Sequence, residues 1–220
     1  MLLKINTEKV KLFQQLFDEV GTELNNKDWQ LRISLLGEEL QELKGAFDNK
    51  DYVEIADAYG DLLFLTIGGM FKHGIFVNNL ECDVNICSQE LNITEYQNVL
   101  GSLDYWINAL GGYLVSNNLD IMPVYEGLLN RICESVLSHG IPNFDKIFEE
   151  ICDSNLSKSD DNEQDALLTK QKYETQTIPV ETYYGEKFGK FITYRKSDNK
   201  VLKSYKYTAV DLAKHFKTEE

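Results

Sequence analysis

Leu31-Arg32-Ile33-Ser34-Leu35-Leu36-Gly37-Glu38-Glu39-Leu40-Gln41-Glu42-Leu43 is followed eleven residues on by Glu54-Ile55-Ala56-Asp57-Ala58-Tyr59-Gly60-Asp61-Leu62-Leu63. Both segments have helical period. In the first, Ile33, Leu36, Leu40, Leu43 and Phe47 form one stripe, the mark of an amphipathic helix. In the second, at 100° per residue, Glu54, Asp57 and Asp61 fall within about 60° of one another. Ala58, Leu65 and Gly68 share that face, and Leu62 to Met70 contains no charge at all. A helix that is apolar all round is a buried one, so these acids sit on or beside a packing face.

The alternative is an ordinary solvated acidic face. Such a face is normally interleaved with lysine and arginine and lies opposite the apolar stripe, whereas Glu39 and Glu42 flank the Leu36–Leu40–Leu43 arc. Carboxylates crowded at low dielectric raise one another's pKa and cost stability unless cations neutralise them. A cluster without histidine or cysteine suits a hard, oxygen-seeking ion, which predicts Mg²⁺, with Mn²⁺ acceptable.

Helices are expected throughout the first three quarters of the chain. Val10, Phe13, Leu16-Phe17 and Val20 recur behind the candidate cap Asn6. Asp28 is the expected cap of the second helix, to about Phe47, and Asp51 of the third, to His73, where Gly74 supplies the C′ glycine. Similar patterns fill 94–117, 122–139 and 143–153. Asp161 or Asn162 opens one more helix to about Tyr173.

Beyond it the texture changes. Residues 177–184 and 188–195 are β-branched and aromatic, as strands are. Ser197-Asp198-Asn199-Lys200 reads as a turn into Val201-Leu202-Lys203-Ser204-Tyr205, and Thr208-x-x-Asp211 as a capping box for a short last helix. Residues 1–169 hold 11 basic and 29 acidic residues, and residues 170–220 hold 11 and 7. The expectation is a helical domain, 1–169, with a small basic hairpin-and-helix appendage, 170–220, that covers a bound ligand as a lid, touches a partner or, on the favoured reading, does neither and keeps its lysines solvated.

The helical part carries an internal echo. Ile55, Tyr59, Leu62 and Leu63 match Ile121, Tyr125, Leu128 and Leu129 at an offset of 66, and His73-Gly74-Ile75 matches His139-Gly140-Ile141. Two fused units, about 28–92 and 93–157, would explain it. The second lacks the acids: Glu54, Asp57 and Asp61 align with Asp120, Pro123 and Gly127.

The frame Glu38-Glu39-x-x-Glu42 followed by Glu54-x-x-Asp57 resembles the all-α nucleoside triphosphate pyrophosphohydrolases, the superfamily of MazG, dimeric dUTPases and phosphoribosyl-ATP pyrophosphohydrolase. Phe148-x-Glu150-x-x-x-Ser154-Asn155-x-Ser157-Lys158 and the tail from Tyr194 to Ser204 resemble a branch common in phages. The resemblance implies a mainly all-α bundle that hydrolyses a (deoxy)nucleoside triphosphate to monophosphate and pyrophosphate. It implies that Glu39, Glu42, Glu54 and Asp57 hold one or two Mg²⁺, with Asp61 a further ligand. Glu38, beside Glu39, would orient or deprotonate the attacking water, and Asn155 and Lys158 would reach the nucleotide. Members usually pair identical chains. The second unit would supply that partner internally, as a pseudo-dimer with one site per chain, and a further homodimer stays open. Phosphoribosyl-ATP hydrolysis and a non-catalytic nucleotide-binding module are the alternatives; the long insertion and tail argue against the first and the retained acids against the second.

Other classes are excluded. A net charge of −14 argues against a whole-chain grip on nucleic acid. No run of eighteen apolar residues offers a membrane span, and the N-terminus has no signal-peptide core. The four cysteines follow no zinc spacing and read as reduced core residues, which predicts a cytoplasmic protein. Trp29 and Trp106 read as core or rim rather than base-stacking groups. His73, His139 and His215 read as helix-end residues favoured by the dipole. Gly68-Gly69 and Gly111-Gly112 read as close-packing glycines.

Overall fold

A computed structural model describes residues 2–16, 26–83, 93–116 and 121–217. In chain order they form β1 (Leu2–Asn6), α1 (Glu8–Gln15), α2 (Asn26–Asn49), α3 (Tyr52–Lys72), β2 (Asn79–Asp83), α4 (Ile93–Ser116), α5 (Met122–Ser138), α6 (Phe144–Leu156), β3 (Ser159–Asp160), α7 (Glu163–Glu174), β4 (Val180–Gly185), β5 (Lys190–Arg195) and a 3-10 turn, Ala213–Phe216. The fold is mainly helical, with two small sheets.

Four long helices make the body. α2 packs on α3 and α4 on α5, while α2 also meets α4 and α3 meets α5. Leu36, Leu43, Tyr59, Leu62, Leu63, Ile67, Leu103 and Tyr125 are almost wholly excluded from solvent between them. Burying each such side chain contributes about 1.5–3 kcal/mol. The charge-free stretch of α3 is buried on nearly all sides, as its composition demands. Its start is set by Asp51, whose carboxylate accepts from the Val53 and Glu54 amides, and its end by Gly74 at φ 73°.

The two helical hairpins lock by a reciprocal contact. The Tyr59 hydroxyl lies 3.0 Å from His139 Nδ1, and the Tyr125 hydroxyl 3.1 Å from His73 Nδ1. These are the residues paired by the 66-residue offset, so residue i of one half meets j of the other and j meets i. That is the signature of a two-fold interface, realised within one chain. Small residues give each tyrosine room at equivalent positions: a Cβ at Gly69 would lie 2.6 Å from the Tyr125 hydroxyl, and Ser135 hydrogen-bonds Tyr59.

Several sequence expectations need correction. α2 begins at Asn26, so Asp28 lies in its first turn, where its charge suits the dipole, and is not the cap. α1 ends at Gln15; Phe17 and Val20 lie outside the described residues, as do Asn117–Asp120 and Cys87. α1 is capped at Thr7 and not at the expected Asn6, although Asn6 Oδ1 accepts from the Glu8 amide at 2.9 Å. Val201–Tyr205 forms no strand beyond one bridge, Tyr194 to Val201. The third strand of that sheet is instead Ser159–Asp160, paired with β5 in the order β3-β5-β4. The final turn is capped at Leu212 and not by Thr208. The Thr208 amide and carbonyl instead bond Ser157 and Ser154. Gly111 and Gly112 have room for a methyl group and pack nothing closely. β1 and its antiparallel partner β2 were invisible to periodicity.

The basic C-terminal segment is not held apart. Tyr173 donates to the Lys203 carbonyl, Ser154 bonds Tyr207, Leu212 joins the main core at 3% exposure, and His215 and Lys214 pair with Glu150.

Candidate active site

α2 and α3 run antiparallel, and their facing turns bring five carboxylates into one electrostatic neighbourhood. Glu39, Asp57 and Asp61 are partly buried, while Glu42 and Glu54 stand exposed at the lip. Burial first, then Asp61, Glu42 and Asp57, pushes Glu39 up to about 8. Burial, then Asp61, Glu54 and Glu42, pushes Asp57 up to about 7. Burial also raises Asp61, against Lys158 and Asn155. Among the described residues no three acidic, histidine or cysteine side chains are drawn close enough to hold a metal ion. The acids are neighbours, not an assembled ligand set, as mutual repulsion requires.

α6 brings the other two predicted residues to this cluster. Gly60 lacks a side chain where Ile151 of α6 packs, and a Cβ there would collide with it. One turn further along α6, Asn155 Nδ2 donates to Asp61 Oδ1 at 3.2 Å, and Lys158 Nζ donates to Asn155 Oδ1 at 2.6 Å. Burial depresses the Lys158 pKa while Asp61 and Glu39 oppose that. Glu38 is set apart: it is exposed, and its Oε2 accepts from Lys200 Nζ at 2.6 Å.

A cavity of about 360 Å³ opens beside the acids. Glu39, Asp61, Asn155 and Lys158 line one end, and Asp28, Arg32 and Lys72 the other. Asp61 and Lys72 are eleven positions apart on α3, so the cavity runs about 16 Å along it at helical rise. Phe13, Leu31, Leu35, Phe64 and Leu65 give it apolar walls, and Gln14 adds a side chain only 2% exposed. Tyr183, Tyr194, Asn199, Lys200 and Val201 close it from the C-terminal segment.

The tail is therefore part of the cavity's wall, rather than the hairpin of solvated lysines that the sequence favoured over a covering lid. No local pattern says where a hairpin docks. The opposed charges of residues 1–169 and 170–220 were the available hint. Arg32 was likewise unassigned; it donates to the Leu65 carbonyl at 2.6 Å while lining the cavity.

The remaining candidates fall outside the site. Trp29 stacks on His73, with ring centroids 4.1 Å apart, and Trp106 covers Gly127. His73 and His139 do end helices, but burial lowers both pKa values, His139 to about 4. Desolvation outweighs the dipole, and both are neutral at pH 7. Cys82, Cys133 and Cys152 are free thiols. No helix among the described residues is long and apolar enough to cross a membrane.

The site is thus a set of acids on two facing helices beside a cavity with basic and aromatic walls. Residues 10–85, spanning α1, α2, α3 and β2, match the family described as phosphoribosyl-ATP pyrophosphohydrolase. That stretch is thus similar to the all-α nucleoside triphosphate pyrophosphohydrolases, a likeness that points to a pyrophosphohydrolase-type activity. An uncharacterized protein of Acanthamoeba polyphaga mimivirus is 24% identical over 213 residues, covering 86% of this chain and 82% of its own length. No solved structure matches.

Proposed function

We propose that the chain hydrolyses a (deoxy)nucleoside triphosphate to its monophosphate and pyrophosphate, with Mg²⁺. The observation that carries this reading is the joining of Glu39 and Asp61, from the α2–α3 acid cluster, with Asn155 and Lys158 at one end of an elongated cavity. The donors fit the ion: all are carboxylate oxygens, and Glu39 and Asp57 are pushed up first by burial and then by neighbouring negative charge that Lys158 and Lys203 only partly offset. Glu39, Glu42, Glu54 and Asp57 would hold it, with Asp61 a further ligand. Bound there, Mg²⁺ supplies charge neutralisation and Lewis-acid polarisation of the phosphoryl group.

The chain's own groups do the rest. Lys158 meets the phosphates as a point charge, and Asn155 fixes the Asp61 carboxylate that faces them. Glu38 and Glu39 orient the attacking water and take its proton. The apolar and aromatic walls hold the nucleoside and exclude water. The α4–α5 half acts as the built-in partner of a pseudo-dimer and holds no metal of its own. A cytoplasmic location fits the free thiols.

The matched family's description favours a second reading, phosphoribosyl-ATP as substrate. One assay separates them: canonical and modified dNTPs, NTPs and phosphoribosyl-ATP with Mg²⁺, quantifying pyrophosphate and monophosphate. Equal release of both products from a nucleoside triphosphate, lost in Glu39→Ala and Asp57→Ala, is the expected result. Turnover of phosphoribosyl-ATP alone would replace the first reading with the second. Silence across the panel in folded, Mg²⁺-binding protein would sink both. Calorimetric titration finding two equivalent Mg²⁺ clusters per chain would refute the single-site arrangement.

A further inference from the structure

The turn Lys196–Asn199 is unusually well braced. Arg195 forks onto Asp198, the Lys200 amide donates to Asp198 Oδ1 at 3.2 Å, and Arg195 N–H donates to the Lys200 carbonyl at 2.9 Å. Leu202 N–H ties back to Thr193 at 2.9 Å, and Lys200 pins the turn to Glu38 of α2. Asn199 sits at the tip with φ 65°, and its amide N–H donates to the Arg195 carbonyl at 2.8 Å. Its side chain lines the cavity and makes no hydrogen bond to a described residue.

Position along the tail gives that side chain its meaning. Lys203 acts on Asp57 and Asp61, and Lys200 sits on Glu38. Lys203 and Lys200 thus mark the acid end, and Asn199, next to Lys200 in the chain, lines the same cavity. The helical wall beyond is mostly aliphatic and aromatic: Leu31, Leu35, Phe64 and Leu65. Such a wall takes a planar base by contact but cannot tell one base from another. An amide can, because it offers one acceptor and two donors to a base edge.

We propose that Asn199 reads the hydrogen-bonding edge of the nucleobase, so that the C-terminal turn, and not the helical bundle, sets which base is accepted. This rests on the nucleotide reading of the cavity. A competing reason for asparagine at 199 is its tolerance of positive φ. Asn199→Gly keeps that backbone and removes only the amide.

The test is calorimetric binding of nucleoside 5′-monophosphates carrying each of the five common bases, to wild type, Asn199→Gly and Asn199→Asp, with unchanged melting temperature as the folding control. Wild type is expected to favour one base or base pair-edge type. Asn199→Gly should lose about tenfold for the favoured base, one hydrogen bond's worth, and little for the others, levelling the series. Asn199→Asp keeps the acceptor and loses the donors, so it should shift preference toward bases that present an amino group. An unchanged ranking in Asn199→Gly, an equal loss for every base, or a wild type that does not discriminate would each overturn the proposal. Base-selective binding without hydrolysis of any triphosphate would instead count against the pyrophosphohydrolase reading and leave this one standing.

Discussion

The α2–α3 hairpin and the α4–α5 hairpin share a scaffold and differ in what occupies one face. Both end a buried helix on His-Gly-Ile with glycine at positive φ, and both send a tyrosine to the other's histidine. Where α3 carries Asp61 beside Asn155, α5 carries Gly127 beneath the Trp106 indole, too close for a methyl group. Where α3 carries Asp57, α5 carries Pro123 in its first turn. One half keeps partly buried charge, which lowers stability. The other fills the same region with an aromatic ring. The contacts that make the bundle and the groups that make the site are thus separable.

The largest break in the comparison should come from Asp57→Asn, which is expected to cut pyrophosphate release at least about a hundredfold. Because burial and neighbouring acids oppose its charge, the same variant should unfold at higher urea than wild type. Pro123→Ala, its counterpart, should leave turnover within about twofold. A destabilised Asp57→Asn, or an inactive Pro123→Ala, would undo the division of labour.

Acid should strain the tyrosine–histidine lock. His139 is pushed down to about 4 by burial, then by Arg131, with the Ser135 carbonyl opposing, and its Nε2 is buried without a partner. As pH falls below about 6.5 the unfolded chain takes up this proton first. The stability present above that pH is therefore lost progressively down to about 4, by about 3 kcal/mol. Urea midpoints of wild type and His139→Asn across that range should diverge in acid less for the variant; parallel curves would contradict the assignment.

Glycine substitutions sharpen the contrast in packing. Gly127→Ala drives a Cβ to 2.5 Å from the Trp106 ring and should cost about 2 kcal/mol in chemical denaturation. Gly112→Ala, with open space around it, should stabilise α4 by about 0.5–1 kcal/mol. Similar effects at both sites would mean that Trp106 moves aside freely. Smaller still, Tyr59→Phe and Tyr125→Phe should each cost about 1 kcal/mol. The two costs should be similar, because His73 keeps the Gly69 carbonyl and His139 the Ser135 carbonyl. A marked inequality would show that the two contacts are not energetically equivalent.

The sequence by itself determined the helices and the acidic face. Asp51, Gly74 and Asn162 mark helix ends by chemistry confined to one turn, and Asn162 indeed accepts from the Asp165 amide. The 3.6-residue period placed Glu54, Asp57 and Asp61 on one side of the helix before any partner helix was known. It also identified the pairs Tyr59/Tyr125 and His73/His139 without saying that they cross over. Tertiary structure alone decided that crossing, the pairing of Leu2–Asn6 with Asn79–Asp83, the choice of Ser159–Asp160 over Val201–Tyr205 as the third strand, and the docking of Asn199 and Lys200 at the cavity. The physical reason is range. Caps and periodicity are local preferences written in consecutive residues. Strand partners and cavity walls are chosen by which distant surfaces bury apolar area and satisfy backbone groups together, as when Lys200 finds Glu38 across 162 residues of chain.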